Sequence, residues 1–219
     1  IDPSASTPGN YTVTYEILPA GNCAGFITTT SVSIIQAPSA SAGSNMQICS
    51  DASNVTIGAS ASALNYSSVL WTSNGSAGTI TNASSLNGAT YTPSVADIAS
   101  GGIILTLIIN GNSPCASVQS TITVSITGAA TAVAGIDIHA CAGLSNVNIT
   151  AGSSASNYSS VMWSGGAGTW SNATSLTTAT YSPTAAEQSA GSVSITLTAI
   201  GNSPCGNAFV VKTMYIHPL

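Results

Sequence analysis

Cysteines at positions 23, 49, 115, 141 and 205 are the most reactive groups in this 219-residue chain. A thiol acts as nucleophile, metal ligand or half of a disulfide according to its neighbours. Nucleophilic catalysis by Cys or Ser needs a base close by, and only His139 and His217 are available to orient against six scattered acids. Paired carboxylates are wanting because the acids lie far apart in sequence. Calcium would need several oxygen ligands, and no Asp-x-Asp run supplies them, which leaves Asp51 and Asp137 as the only candidates for a joint site. The chemistry on offer is therefore disulfide formation. The expectation is a chain with no enzyme activity, no cofactor and no metal.

The positioning elements must be built almost without charge. Apolar residues make up 44% of the chain and charged ones 3%, with Lys212 as the single basic residue and no Arg. That apolar content supports packed cores and argues against disorder. A nucleic-acid surface needs clustered Lys and Arg to displace counterions, and a polybasic membrane contact needs the same, so both are excluded. The longest nearly unbroken apolar run, Ile103 to Ile109, is about a third of the ~20 residues of a spanning helix, and Thr106 interrupts it.

Self-similarity organises the chain. Residues 42–126 align with 134–216 on specific anchors. Cys49 and Cys141, like Trp71 and Trp163, are 92 positions apart; Tyr91 and Tyr181, Pro93 and Pro183, and Cys115 and Cys205 are 90 apart. Two residues are lost in the Gly-rich turn after the tryptophan, where length variation costs least. Residues 10–35 match only the last third of a unit, with Gly21-Asn22-Cys23 standing for Gly111-Asn-Ser-Pro-Cys115. The chain thus reads as a fragment of a longer one, with short joints at 36–40, 127–132 and 217–219. In this alignment His139 is matched by Gln47, and His217 falls in a joint.

Within a unit the period is two. Thr121-Ile-Thr-Val-Ser-Ile and Ser194-Ile-Thr-Leu-Thr-Ala alternate small polar with apolar residues, as half-buried antiparallel strands do. Seven strands are predicted in the first complete unit, at 41–48, 54–59, 67–73, 78–82, 89–93, 103–110 and 117–126. Seven short strands with turn signals every 8 to 12 residues indicate an immunoglobulin-like sandwich. The predicted fold is all-β, with tandem seven-strand immunoglobulin-like sandwiches arranged end to end after a truncated module. The boundaries are 1–37 for the truncated module, 38–127 for the first complete one and 128–219 for the second. One helical turn is expected in each complete unit, because Ser94-Val-Ala-Asp97 and Thr184-Ala-Ala-Glu187 follow a Pro and fit a capping box. Asp97 and Glu187 then have structural work.

Trp71 and Trp163 fall on the third strand, where such sandwiches bury a Trp, and Tyr91 and Tyr181 suit corner tyrosines tethered by their hydroxyls. An exposed aromatic platform stacking on sugar rings is the alternative. Trp170 or Tyr158 would form it, although Ile80, the counterpart of Trp170, argues for burial. The seven or more Asn-x-Ser/Thr triplets, including Asn65, Asn82, Asn157 and Asn172, arise readily in a chain so rich in these residues, and no function is assigned to them.

For the cysteines, pairing within a module would join Cys49 to Cys115 and Cys141 to Cys205. The turn holding Cys49 lies at the pole opposite the hairpin holding Cys115, and a strand of ~6 residues spans ~20 Å, whereas bridged Cα atoms must come within ~7 Å. End-to-end stacking would instead bring Cys49 beside Cys205, leaving Cys23, Cys115 and Cys141 to partners outside the fragment. Pairing within a module, or free thiols, remain the alternatives.

The phrases Gly-Asn-Ser-Pro-Cys, Tyr-Thr-Pro-Ser-Val-Ala-Asp-Ile-Ala-Ser-Gly-Gly and Val-Leu-Trp-Thr-Ser-Asn-Gly-Ser-Ala-Gly-Thr-Ile-Thr-Asn-Ala resemble the tandem modules of very large Bacteroidota surface adhesins, including gliding-motility adhesins exported by the type IX secretion system. Pro8-Gly-Asn-Tyr-Thr-Val-Thr-Tyr is similar to the end of a polycystic-kidney-disease-like repeat. The resemblance implies an extracellular, cell-surface stalk or filament. Its implied partners are neighbouring modules, secretion or motility machinery and a surface glycan, and it hands over no catalytic residue. A carbohydrate-binding module array and a polymer subunit completed by strands from another chain are the rival readings.

Overall fold

Alternation of small polar and apolar residues commits most of the chain to strands, and the computed structural model, which describes residues 2–218, places two long ones first. These are β1 (Gly9–Ile17) and β2 (Phe26–Ile34), an antiparallel hairpin that pairs Gly9 with Ile34 through to Ile17 with Phe26. The first complete repeat follows with β3 (Ser39–Ser41), β4 (Met46–Cys49), β5 (Val55–Thr56), β6 (Ser62–Leu64), β7 (Tyr66–Thr72), β8 (Thr79–Thr81), β9 (Thr90–Thr92), α1 (Val95–Ser100), β10 (Gly102–Gly111) and β11 (Val118–Thr127). The second repeat copies it element for element. It comprises β12 (Thr131–Val133), β13 (Ile138–Cys141), β14 (Val147–Asn148), β15 (Ser154–Ser156), β16 (Tyr158–Ser164), β17 (Thr169–Ser171), β18 (Thr180–Ser182), α2 (Ala185–Ala190), β19 (Ser192–Gly201) and β20 (Ala208–His217).

Each complete repeat carries a four-stranded sheet, in the orders β4-β11-β10-β7 and β13-β20-β19-β16. Opposite it stand a three-stranded sheet, β5-β9-β8 or β14-β18-β17, and a short pair, β3-β6 or β12-β15. The fold is all-β and immunoglobulin-like. In the second repeat Trp163, Ile195, Leu197 and Met214 of the larger sheet pack with Tyr181 of the smaller one and with Ile149 and Ala179 next to its strands, all buried. Removing such side chains from water contributes roughly 1.5–3 kcal/mol each.

Three local expectations are corrected. A repeat has nine strands rather than seven. The strand predicted at 41–48 is broken into β3 and β4, and β6 stands where none was predicted. The break occurs at Gly43, whose φ of 90° suits glycine and whose Cβ, if present, would land on the Ser60 hydroxyl. Beyond it the chain leaves the β6 edge, and β4 pairs in parallel with β11, Met46 opposite Val124 and Cys49 opposite Thr127; β13 does the same on β20. This parallel edge was not expected from antiparallel alternation. Finally, the joints at 36–40, 127–132 and 217–219 were drawn too wide, since β3 begins at Ser39, Thr127 and His217 end long strands and β12 begins at Thr131, while Leu219 lies outside the described residues.

Five of the Asn-x-Ser/Thr asparagines have a backbone reason to be Asn. Asn65, Asn74, Asn82, Asn157 and Asn172 adopt φ between 50° and 54°, a left-handed conformation that Asn tolerates better than most side chains. By contact the chain divides into two compact units. One comprises 1–44, 56–92 and 104–123; the other comprises 45–55, 93–103 and 124–219. No helix among the described residues is long and apolar enough to cross a membrane.

Candidate functional site

The parallel edge strands set the place of the cysteines. Cys49 ends β4 opposite Thr127, and its sulfur is bonded to that of Cys205 in the turn before β20, with Cα atoms 4.9 Å apart. The Cys205 sulfur also lies 3.3 Å from the Thr127 carbonyl oxygen. This bond joins positions 156 residues apart, in different sequence repeats but in one contact unit. The other three cysteines are free thiols. Cys115 is half-buried and points its S–H at the carbonyls of Ile35 and Gln36, each at 3.7 Å. Cys23 and Cys141 are exposed.

The helical turns are held by the acids. Ser94 accepts from the Asp97 backbone N–H at 3.2 Å, while the Asp97 carboxylate takes the Ser94 N–H at 2.8 Å. Thr184 and Glu187 close the same box in α2, at 3.2 and 2.8 Å. Glu187 does more, because its other oxygen accepts from the Ala167 N–H and the Tyr181 hydroxyl, both at 2.7 Å. The Tyr181 hydroxyl in turn accepts from Gly168 N–H at 2.7 Å. One carboxylate thereby ties a helix cap, a corner tyrosine and the turn at 165–168. Burial pushes the Tyr181 phenol up to about 12, helped by its hydrogen bond to Glu187. For Glu187 burial pushes the carboxyl upward, but backbone N–H groups of Thr184 and Ala167 and the hydroxyls of Tyr181 and Thr184 outweigh it and hold the group below its ordinary value. In the first repeat the buried Tyr91 hydroxyl lies 3.2 Å from Ser76 Oγ.

The tryptophans belong to the interior. Trp71 and Trp163 are buried, and their indole N–H groups donate to Leu86 O at 3.3 Å and Ser175 O at 3.0 Å. Trp170 does not form an exposed platform. It is half-buried, tilted against Tyr181 with ring centroids 4.7 Å apart, and donates to Gly165 O at 3.1 Å. Tyr158, at the start of β16, is partly exposed.

Two arrangements escaped the sequence reading. Lys212 is buried on β20, donates to Ile149 O and sits 4.9 Å over the Trp163 ring. Burial pulls its ammonium below its ordinary value, and the Asp137 carboxylate only partly opposes this. Asp137 itself accepts from the Thr213 N–H at 2.8 Å. His139 and His217 meet across the parallel strands, with Nδ1 of one 2.9 Å from Nε2 of the other, and His139 stacks on Tyr215. The parallel register sets His139 opposite Tyr215 and Cys141 opposite His217, so the two imidazoles meet diagonally, two positions apart; the alternation alone does not reveal which strands are neighbours. Asp51 is exposed in the turn after β4. Among the described residues no group of three or more His, Cys, Asp or Glu side chains could hold a metal ion. What the arrangement can do chemically is form and break disulfides.

No family model matches this chain, and no curated protein matches it. Similar solved structures are multi-domain chains. Drosophila N-cadherin EC1-4 is 13% identical over 96% of this chain, with a TM-score of 0.47. Mouse clustered PcdhgC3 EC1-3 is 12% identical over 97%, with 0.45, and the I-band fragment I67-I69 from titin is 12% identical over 97%, with 0.49. The chain spans 58% of the cadherin fragment, 78% of the protocadherin fragment and 75% of the titin fragment. Identities this low and scores below 0.5 assign the chain to none of these families.

Proposed function

We propose that this chain is a spacer segment of an extracellular bacterial surface adhesin or filament, a stalk that stiffens and displays rather than catalyses. The observation that carries the reading is the Cys49–Cys205 bond, which ties the first complete sequence repeat to the second. Structural disulfides persist in oxidising compartments, which supports an extracellular setting. The near absence of charge agrees, since Ser, Thr and Asn keep the surface wettable while Lys212, the single Lys or Arg, is buried and gives trypsin nothing to cut. The glycan-binding rival loses its best residue, because Trp170 is packed against Tyr181. Attachment to the cell surface, export by the type IX system and a part in gliding are finer points of the same proposal, and they rest on the sequence resemblance alone. Small-angle scattering of the oxidised chain and of a Cys49→Ser, Cys205→Ser variant tests the stalk. An extended particle that becomes more flexible in the variant is the expected result. Identical scattering from both would remove the stiffening role, and free thiols at 49 and 205 in protein recovered from the cell exterior would remove its basis.

A further inference from the structure

The hairpin β1–β2 and the hairpin β19–β20 can be superposed residue by residue from their ladders. Tyr11 pairs with Val32 as Val193 pairs with Met214, and Ile17 pairs with Phe26 as Ala199 pairs with Ala208. Tyr11, Tyr15 and Ile17 therefore stand where Val193, Leu197 and Ala199 stand. The latter three are at most 8% exposed, whereas the former are 37%, 61% and 49% exposed. The far edge of β2 is also open among the described residues. In the complete repeats the corresponding edges of β11 and β20 hold β4 and β13, while β1 and β2 form a sheet of two.

Cys115 marks that open edge. Counting along the same ladders, Ile35 is the counterpart of Thr127. The Cys115 sulfur rests 3.7 Å from Ile35 O, as the Cys205 sulfur rests 3.3 Å from Thr127 O, and the residue opposite Thr127 is the bonded Cys49. Cys115 has the same seat as Cys205 without the strand that carries the second sulfur. We propose that the open edge of β2 and Cys115 form an acceptor for an extended strand of a further repeat of this kind. Its sequence pattern is the one shared by Met46-Gln-Ile-Cys49 and Ile138-His-Ala-Cys141. The strand runs parallel to Val32–Ile35 and places its cysteine opposite Ile35, in bond with Cys115. A second copy of this chain cannot supply it, because β4 and β13 are already held by β11 and β20. Formation of the bond takes two electrons and two protons from the two thiols and delivers them to a disulfide donor, which leaves as two thiols. The proposal is independent of the spacer reading.

A synthetic peptide with the sequence of residues 134–143 tests it on the full chain, its cysteine activated as a mixed disulfide with thiopyridine. The Cys115 thiolate attacks the peptide sulfur, and thiopyridone departs with the electron pair. The adduct is expected at Cys115 about 10-fold faster than with a scrambled peptide that keeps the cysteine, because binding raises the local thiol concentration. Hydrogen exchange at residues 32–35 slows in parallel, also with a Cys→Ser peptide, and Cys115→Ser abolishes the adduct. Equal rates for both peptides, an adduct shared evenly with Cys23 and Cys141, or a disulfide-linked dimer of the chain through Cys115 would each overturn the proposal.

Discussion

The hairpins β1–β2 and β19–β20 are made alike and end up in different surroundings. Both are antiparallel ladders ending beside a cysteine-bearing turn, yet one presents its apolar face to solvent and the other closes a core around Leu197 and Trp163. The difference teaches that strand pairing in this chain is a local property, whereas burial depends on a second sheet facing the first. Stability should therefore be concentrated in the complete repeats.

The sharpest way to break this contrast is to truncate equivalent side chains. Leu197→Ala should cost about 2–5 kcal/mol and Trp163→Ala about 3–5, read as a shift in denaturation midpoint at constant slope. The comparison fails if Tyr15→Ala, at the position equivalent to Leu197, costs as much. Next in size is the disulfide. Cys205→Ser should lose about 2–5 kcal/mol, whereas Cys115→Ser, at the unbonded equivalent, should stay within about 0.5. Equal losses would mean that the bond contributes nothing beyond packing.

Glu187→Gln should cost about 1 kcal/mol through the weakened cap. Because the folded carboxyl lies below its ordinary value of 4.5, its contribution is complete above that pH and is lost as pH falls through the lowered folded value. The variant should lack this part of the acid limb of an unfolding-versus-pH profile, and an unchanged limb would remove Glu187 as its source. Smallest, and opposite in sign, is Lys212→Ile, which restores the residue type that Ile122 provides at the matching position of the first repeat. A gain of about 1 kcal/mol at neutral pH is expected, limited by the hydrogen bond to Ile149 that is surrendered. Wild-type stability should rise as pH climbs from the lowered Lys212 value toward its ordinary 10.5, and the variant should not show that rise. A loss on substitution would show that the contacts to Trp163 and Ile149 outweigh the buried charge.

Long-strand positions were legible to within a residue or so. The predicted 103–110 and 117–126 are Gly102–Gly111 and Val118–Thr127, because eight or more alternating residues carry a strong period. Short elements were not. The three residues of β6 carry too little pattern to register, and the break between β3 and β4 depends on Gly43 meeting Ser60, 17 positions away. The capping boxes close within four residues, so their signal is contained in Ser94-Val-Ala-Asp97 and Thr184-Ala-Ala-Glu187. The meeting of His139 with His217 spans 78 positions and carried no local signal.

By itself the sequence determined what depends on near neighbours and on repetition: the strand period, the duplicated units, the scarcity of charge and the helical turns. Tertiary structure decided what depends on distant chain passing close by. It chose the parallel partner of each edge strand, the thiols that share a bond, the burial of Lys212 among apolar side chains and the exposure of Tyr15. The physical reason is that hydrogen-bonding pattern and side-chain alternation are set over a few residues, while proximity and dehydration are set by the whole path of the backbone.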